Sequence, residues 1–287
     1  MKPSLRFLTP RSKIVTARDT HVRMSIRSSF ASLGVLLLLL ALTPASARAQ
    51  AADTKSYEPH VGQAGKDVVW VPTPQSLVDK MLDLAKVTPQ DYLIDLGSGD
   101  GRTVITAAKR GLKAHGIEYN PDMVALAKRN AAQAGVSDRA TFEKADLFES
   151  DFSKAQVITM FLLPSINEKL RPKILDLKPG TRIVSNTFPM GDWHADQTES
   201  VTDDCTNWCT ALLWIVPAKV DGAWQIGNQE LKLAQHYQML NGTLGSAAIS
   251  GGRLNGSAIS FTANGTQYTG TVDGNTMKGA NWSATRK

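Results

Sequence analysis

The most chemically informative stretch of the sequence is the run Asp95-Leu96-Gly97-Ser98-Gly99-Asp100-Gly101-Arg102. Its three glycines, at every second position, let the backbone pass close to a bound ligand. The run follows a short apolar segment and precedes a helical pattern, so the amide groups at the start of that helix would face the ligand. The run therefore predicts a ligand-binding turn between a strand and a helix.

The acidic residues around this turn indicate what kind of ligand it binds. Asp95 and Asp100 would repel the phosphates of a dinucleotide, and the glycines depart from the G-x-G-x-x-G spacing of pyrophosphate sites. Glu118, 21 residues after Gly97, is placed to accept hydrogen bonds from ribose hydroxyls. Asp146 ends a later strand, where it could meet an adenine amino group. The four acids favour a nucleoside ligand that carries positive charge, and they disfavour a nicotinamide-dependent oxidoreductase.

The elements that must position these residues alternate between strand and helix. Apolar runs predict strands at 92–96, 113–119, 140–145, 156–163 and 181–188, and helical patterns lie between them. A last strand, 211–216, follows a loop and could therefore insert antiparallel. This alternation predicts an α/β fold, a Rossmann-like doubly wound sheet that is mostly parallel with one antiparallel strand.

The pattern changes at Val220. Four hairpin-type dipeptides occur within 34 residues. They are Asn241-Gly242, Asn255-Gly256, Asn264-Gly265 and Asp273-Gly274. Apolar residues alternate with polar ones between these turns, which predicts a small antiparallel β domain with one apolar face and no chemistry of its own.

The N-terminus has the features of an export signal. The apolar run Leu33–Leu42 follows Arg23 and Arg27, and Ala47-Arg48-Ala49 forms a small-x-small cleavage pattern before Gln50. The run is shorter than the roughly 20 residues of a membrane span. We expect cleavage near Ala49 and a periplasmic or envelope location, with an uncleaved short anchor and a disordered tail as alternatives.

The chain is therefore divided into four parts. Residues 1–49 are the leader, 50–69 a flexible arm, 70–219 the ligand-binding domain and 220–287 the β domain. The net charge of +6 belongs to the leader, which holds eight of the 32 Lys and Arg and one of the 26 acidic residues. The remaining 24 basic and 25 acidic side chains predict no nucleic-acid partner, and membrane contact is expected only through an uncleaved leader.

Cys205 and Cys209 are the only cysteines, and the five histidines are scattered along the chain. Two cysteines without neighbouring ligands do not make a zinc site, so we predict no metal. Their spacing leaves a local disulfide and two free thiols both open.

Two pairs of motifs resemble known families. Asp95–Arg102 and Gly116–Pro121 are similar to the first two motifs of class I S-adenosylmethionine-dependent methyltransferases. Val71–Pro74 and Phe188–Trp193 resemble the mitochondrial lysine methyltransferases of the ATP synthase c subunit and the adenine nucleotide translocase, with their bacterial relatives. The similarity covers about 70–217. It implies S-adenosylmethionine as the cofactor and a lysine side chain of a protein as the acceptor. The implied cofactor-binding residues are Asp95, Gly97, Ser98, Gly99, Asp100, Gly101, Glu118 and Asp146.

The methyl acceptor is expected over the ends of the fourth and fifth strands. Phe161, Asn186 and Trp193 are the candidate catalytic residues there, because an apolar wall with aromatic rings suits a lysine stem and its charged end. Asn186 could orient an amine, and no residue is assigned as general base. Methylation of a small molecule and a non-catalytic envelope protein that keeps the fold stay as alternatives, since export would separate the protein from cytoplasmic S-adenosylmethionine.

Overall fold

A computed structural model describes residues 57–287. The predicted leader, its cleavage site and the first residues of the arm lie outside this range. The described residues belong to one compact unit, Thr54–Lys287. Among them, no helix is both long and apolar enough to cross a membrane.

Residues 92–215 contain a seven-stranded sheet in the order β3-β2-β1-β4-β5-β7-β6. Strands β1 to β5 pair in parallel, and β7 pairs antiparallel with β5. This confirms the mostly parallel sheet with an antiparallel last strand. The strands are β1 Tyr92–Leu96, β2 Lys113–Glu118, β3 Ala140–Lys144, β4 Val157–Met160, β5 Arg182–Asn186, β6 Gln197–Ser200 and β7 Thr210–Ile215.

Four helices cover the two faces of this sheet. They are α1 Gln75–Leu84, α2 Arg102–Lys109, α3 Pro121–Gln133 and α4 Pro164–Leu175. Helix α3 begins where its sequence favours a start, because the Asn120 side chain accepts hydrogen bonds from the amides of Asp122 and Met123 and Pro121 takes the first position. Helix α1 has no side-chain cap.

Two apolar clusters hold the helices against the sheet. One joins α1 and α2 to β1 through buried residues such as Leu82, Val104 and Leu93. The other joins α4 to the opposite face through Leu170 and Ile158. The central strands are therefore buried on both sides, as expected for a parallel sheet between helices.

Strand β6 and the end of β4 differ from the predictions. All four residues of β6 are exposed, so its sequence carries no apolar alternation, and the strand lies at the edge of the sheet. Strand β4 ends at Met160, and α4 begins at Pro164. Residues 161–163 therefore form a short loop at the carboxyl edge of the sheet, where a ligand site is expected.

The C-terminal part is a closed antiparallel barrel of eight strands, because β9 pairs with both β8 and β10. The two-residue strand β11 adds to β10. The prediction of an antiparallel β domain is confirmed, but it missed the closure, which places Trp224, Leu240 and Phe261 in a filled interior. The strands are β8 Gly222–Ile226, β9 Gln229–His236, β10 Met239–Leu244, β11 Ala247–Ala248, β12 Ser250–Asn255, β13 Ala258–Ala263, β14 Thr266–Asp273, β15 Thr276–Gly279 and β16 Ser283–Arg286.

The barrel packs against the segment that follows β5, and this contact buries Trp193 completely. The Trp193 indole donates to Gln238 Oε1 at 2.9 Å and stacks on the Tyr237 ring, with centroids 5.6 Å apart. Arg253 of the barrel pairs with Asp196 at 2.5 Å. The expectation that Trp193 lines the acceptor pocket is wrong, because the barrel covers its ring and makes it a core residue.

Candidate cofactor and acceptor site

A cavity of about 560 Å³ lies at the carboxyl edge of β1, β2 and β4. This is the edge of an open α/β sheet at which ligands bind. Of the eight predicted cofactor-binding residues, only Gly101 does not line the cavity, and of the three predicted catalytic residues, only Phe161 does.

The glycine turn adopts backbone conformations that favour glycine. Gly97, Gly99 and Gly101 have φ angles of 76°, 53° and 83°. A Cβ atom at Gly101 would lie 2.7 Å from the Phe142 ring and 2.9 Å from the Ala127 side chain. Gly101 therefore allows α2 and α3 to approach each other behind the turn. It supports the turn by its small size, although it does not line the cavity.

Ser98 lines the cavity, but its hydroxyl group points away from the turn. Its side chain lies over β2, where a Cβ atom at Gly116 would be 2.5 Å from Ser98 Oγ. Within residues 57–287 this buried oxygen has no hydrogen-bond partner. The Gly116 position, part of the second motif, therefore makes room for the turn.

Glu118 is fixed by two backbone amides. The Gly99 amide donates to Oε2 and the Asn120 amide donates to Oε1, each at 2.9 Å. The carboxylate thus faces the cavity with remaining lone pairs on both oxygens, the arrangement that binds a pair of vicinal hydroxyl groups.

Asp95 is a buried carboxyl at the centre of the site. Its pKa is raised to about 7, chiefly by burial and also by the nearby Glu118 and Asp100 carboxylates, while a 2.6 Å hydrogen bond from Thr159 Oγ1 opposes the rise. A cationic group bound beside Asp95 would favour its ionised form.

Asp100 has a structural partner. Arg102 donates to Asp100 through Nε at 3.1 Å and Nη2 at 2.6 Å, and its Nη1 donates to the Thr73 carbonyl oxygen at 2.8 Å. Asp100 lines the cavity, and through Arg102 it also connects the glycine turn to the segment before α1.

Residues 62–70, which we call the arm hairpin, cover one side of the cavity. The hairpin is held by hydrogen bonds between Gly62 and Trp70 and between Trp70 and Gln63, both at 2.9 Å. Lys66 donates to Asp146 and lies 4.9 Å from the centre of the Tyr119 ring. This contact lowers the pKa of Asp146, which also accepts from the Phe148 amide. The sequence did not predict that the arm takes part in the site.

The opposite side of the cavity is apolar. Phe161 stacks on Phe188 with ring centroids 5.8 Å apart, and Trp208 lies 6.0 Å from Phe161. Leu163 and Trp208 are 43% and 42% exposed, so both stand at the mouth of the cavity. Every residue that lines this acceptor side is apolar: Met160, Phe161, Leu162, Leu163, Ile166, Phe188 and Trp208.

Asn186, predicted as catalytic, lies behind the cavity rather than in it. Its side chain is fully buried, and Nδ2 donates to Thr73 Oγ1 at 3.3 Å. Asn186 Oδ1 has no partner among the described residues. The contact holds Thr73, which does line the cavity. Asn186 is placed to support the wall instead of touching an acceptor.

The sequence did not predict that Trp208 lines the acceptor side, because a long polar loop between β6 and β7 carries this residue to the cavity. The two cysteines form a disulfide, Cys205–Cys209, that encloses Trp208 in a five-residue ring. The only sequence signal was a tryptophan between two cysteines. Across residues 57–287, no group of three or more His, Cys, Asp and Glu side chains is arranged to hold a metal ion.

The chain is similar to several known methyltransferases. A family model described as the ANTKMT methyltransferase domain matches residues 95–197. A protein-lysine N-methyltransferase of Saccharolobus islandicus is 43% identical over 164 residues, which are 56% of this chain and 97% of that protein. The adenine nucleotide translocase lysine N-methyltransferase of Mus musculus is 37% identical over 118 residues, and the match spans 40% of this chain and 51% of that relative.

A solved structure is similar over about half of the chain. It is described as an RNA methyltransferase from Salinibacter ruber in complex with S-adenosyl-L-homocysteine. The two sequences are 48% identical, with 52% of this chain and 96% of that chain covered and a TM-score of 0.49.

Proposed function

This chain belongs to the family of S-adenosylmethionine-dependent protein-lysine methyltransferases, and from that premise we propose that it methylates the side-chain amine of a lysine in a protein. The observation that carries the proposal is one continuous cavity with two different sides. Its cofactor side has carboxylates and backbone amides, and its acceptor side is wholly apolar.

The cofactor side has the donor and acceptor groups that S-adenosylmethionine requires. Asp95 would hold the ammonium group, the amides at the start of α2 the carboxylate, Glu118 the ribose hydroxyls and Asp146 the adenine amino group. The bound cofactor supplies a methyl group on a positively charged sulfur. The two cationic side chains that line the cavity, Lys66 and Arg102, are paired with Asp146 and Asp100, which is consistent with a ligand that lacks phosphates.

The acceptor side prepares the amine. A lysine ammonium that enters an apolar channel loses hydration, which lowers its pKa and favours the neutral nucleophile. Phe161 and Phe188 are placed to pack along the lysine stem. The chain therefore contributes positioning and exclusion of water, which are the main requirements of an in-line methyl transfer.

RNA and small molecules are the competing acceptors. An RNA acceptor would need cationic side chains for its phosphates, but the acceptor side has none. A small molecule would need polar groups on the wall that fix its orientation, and these are also absent from the acceptor side. The lysine side chain, apolar along its length and polar only at its end, fits this wall best.

The test uses the chain from Gln50 onward, which contains the whole compact unit Thr54–Lys287. Calorimetry should show binding of S-adenosylhomocysteine and no binding of NADH. Radiolabelled S-adenosylmethionine should then label protein in a bacterial extract, with methyl-lysine identified by mass spectrometry, and Glu118→Ala should reduce the label at low cofactor concentration. Label in RNA alone, or tight NADH binding, would overturn the proposal.

We also propose that the protein is exported, with its leader removed near Ala49. The disulfide supports this, because disulfides persist mainly in oxidising compartments outside the cytoplasm. N-terminal sequencing of protein from the periplasmic fraction should begin near Gln50. A full-length protein found in the cytoplasm with reduced cysteines would contradict export.

Export makes the non-catalytic alternative testable. S-adenosylmethionine is a cytoplasmic product, so an exported enzyme needs a supply of it outside. If periplasmic protein is purified without bound cofactor and no methyl-lysine depends on its gene, a binding role would replace turnover.

A further inference from the structure

The acceptor side is completed by a residue from a distant part of the chain. Phe161 follows β4 and Phe188 follows β5, whereas Trp208 comes from the loop between β6 and β7. The Trp208 ring is tilted by 59° against Phe161 and remains 42% exposed. One part of the indole therefore contacts the wall, and another stays open to whatever enters the cavity.

The backbone that carries this ring is strained. Trp208 has a φ angle of 55°, in the left-handed region that bulky residues rarely adopt. Asp204, in the same loop as Trp208, and Thr187, which precedes Phe188, have φ angles of 52° and 58°. Three of the six non-glycine residues with positive φ in the described chain thus lie on the two segments that carry Phe188 and Trp208 to the acceptor side. Such conformations persist only where the surrounding structure fixes them.

The disulfide and a set of hydrogen bonds supply that restraint. Cys205–Cys209 closes the ring around Trp208. The Thr187 amide donates to the Thr210 carbonyl oxygen at 2.7 Å, and Ser76 Oγ donates to the Asp203 carbonyl oxygen at 2.7 Å. Hydrogen bonds therefore hold the two ends of the loop, one to Ser76 in α1 and the other to Thr187 directly after β5, and the indole of Trp208 lines the cavity.

We propose that Trp208 determines acceptor specificity by forming the outer wall of the lysine channel, and that the Cys205–Cys209 disulfide positions it there. The inference rests on the proposed function and names a part of the same site. A lysine stem would pass between Trp208 and Leu163, both at the mouth, with its cationic end attracted to the aromatic faces before deprotonation. Because the wall is apolar, we expect the lysine to be accepted without an acidic or basic residue next to it in the substrate sequence.

The test observes Trp208 directly and does not depend on turnover. The chain from Gln50 onward is labelled with 5-fluorotryptophan, and the Trp208 ¹⁹F resonance is assigned by its loss in W208F. With S-adenosylhomocysteine present, n-butylamine, which matches a lysine side chain beyond Cα, should shift this resonance saturably. The Trp282 resonance in the barrel, assigned by W282F, should not move.

The disulfide is tested by C205S/C209S, with thermal unfolding confirming that the variant folds. The n-butylamine concentration for half-saturation should rise at least threefold, and a thiol reductant should produce the same change in the wild type but not in the variant. In ligand-observed saturation-transfer spectra, W208A should reduce the n-butylamine signal at least fivefold, whereas W208F should keep more than half of it.

The affinity for S-adenosylhomocysteine, measured on the same samples, separates this inference from the proposed function. We expect it to stay within twofold of wild type in W208A and in C205S/C209S. A normal affinity with no ¹⁹F response at Trp208 overturns the inference alone. An unchanged half-saturation in C205S/C209S removes the role of the disulfide. If the wild-type protein does not bind S-adenosylhomocysteine, the proposed function itself is wrong.

Discussion

Asp95 should make cofactor binding depend on pH near neutrality. Its carboxyl is buried and its pKa is raised to about 7, mainly because burial disfavours the charged form. A ligand ammonium beside it favours the ionised form, so binding below neutral pH must release a proton. From this pKa, the affinity for S-adenosylhomocysteine should fall about tenfold between pH 7.5 and pH 6.

The assay is calorimetry in two buffers with different ionisation enthalpies at each pH. The difference between the buffers counts the protons released, which should approach one at pH 6 and vanish above pH 8. The matched variant is Asp95→Asn, which can still accept the hydrogen bond from Thr159 but cannot titrate. Its affinity should be weaker and independent of pH over this range.

The same substitution predicts a change in stability. Because the folded-state pKa is higher than the ordinary value of 3.8, Asp95 binds its proton more tightly in the folded protein. The free energy of unfolding therefore decreases as the pH rises from about 4 to about 7, by at most about 4 kcal/mol from this group. Without ligand at pH 8, Asp95→Asn should raise the melting temperature. Wild-type affinity that does not change between pH 6 and pH 7.5 would refute the reasoning, as would an equal pH dependence in the variant.

Three further predictions concern other parts of the site and the core. Glu118→Ala, which removes the carboxylate fixed by two amides, should weaken S-adenosylhomocysteine binding by about 1–3 kcal/mol in calorimetry, whereas Glu118→Gln should lose less. Lys66→Ala, which releases Asp146 and the arm hairpin, should speed S-adenosylhomocysteine dissociation in stopped-flow measurements. Trp193→Ala should lower the free energy of unfolding in urea by about 3–5 kcal/mol, because it empties a fully buried site and leaves Gln238 without its donor.

Each of these predictions has an opposing result. Equal affinity of Glu118→Ala and wild type would remove Glu118 from the cofactor site. A dissociation rate unchanged in Lys66→Ala would show that the arm hairpin does not retain the ligand. Cofactor affinity should stay normal in folded Trp193→Ala, and a selective loss of methyl transfer without loss of stability would restore its catalytic assignment.

The parts of the fold that the sequence predicted are those with local signals. Strand β1 has a buried apolar run directly before three glycines, and α3 has Asn120 and Pro121 at its start. The exposed edge strand β6 carries no such signal, because no face of it is buried. Closure of the barrel was also not predictable, since the pairing of the last strand, β16, with the first, β8, depends on the twist of the whole sheet.

The predicted site shows the same division. Asp95 and Glu118 are placed by strands that end at the cavity, so their sequence positions sufficed. Asn186 ends β5 and Trp193 follows it, as expected. However, the barrel buries Trp193, and the Asn186 side chain donates to Thr73 instead of facing the cavity. Trp208 reaches the cavity through a loop whose path is fixed by a disulfide and distant hydrogen bonds. Long-range packing therefore decides the acceptor side, while local sequence decides the cofactor side.

The closed barrel has a consequence for what can be attached to or removed from the C-terminus. Strand β16, Ser283–Arg286, pairs with β15 on one side and with β8 on the other, so a four-residue segment completes the ring. Trimming this segment would leave two long-lived unpaired backbones, on β15 and on β8, of the kind that recruit strands from other molecules. Strand β16 thus covers the edges of β15 and β8, and its removal would expose both edges to pairing with strands of other molecules.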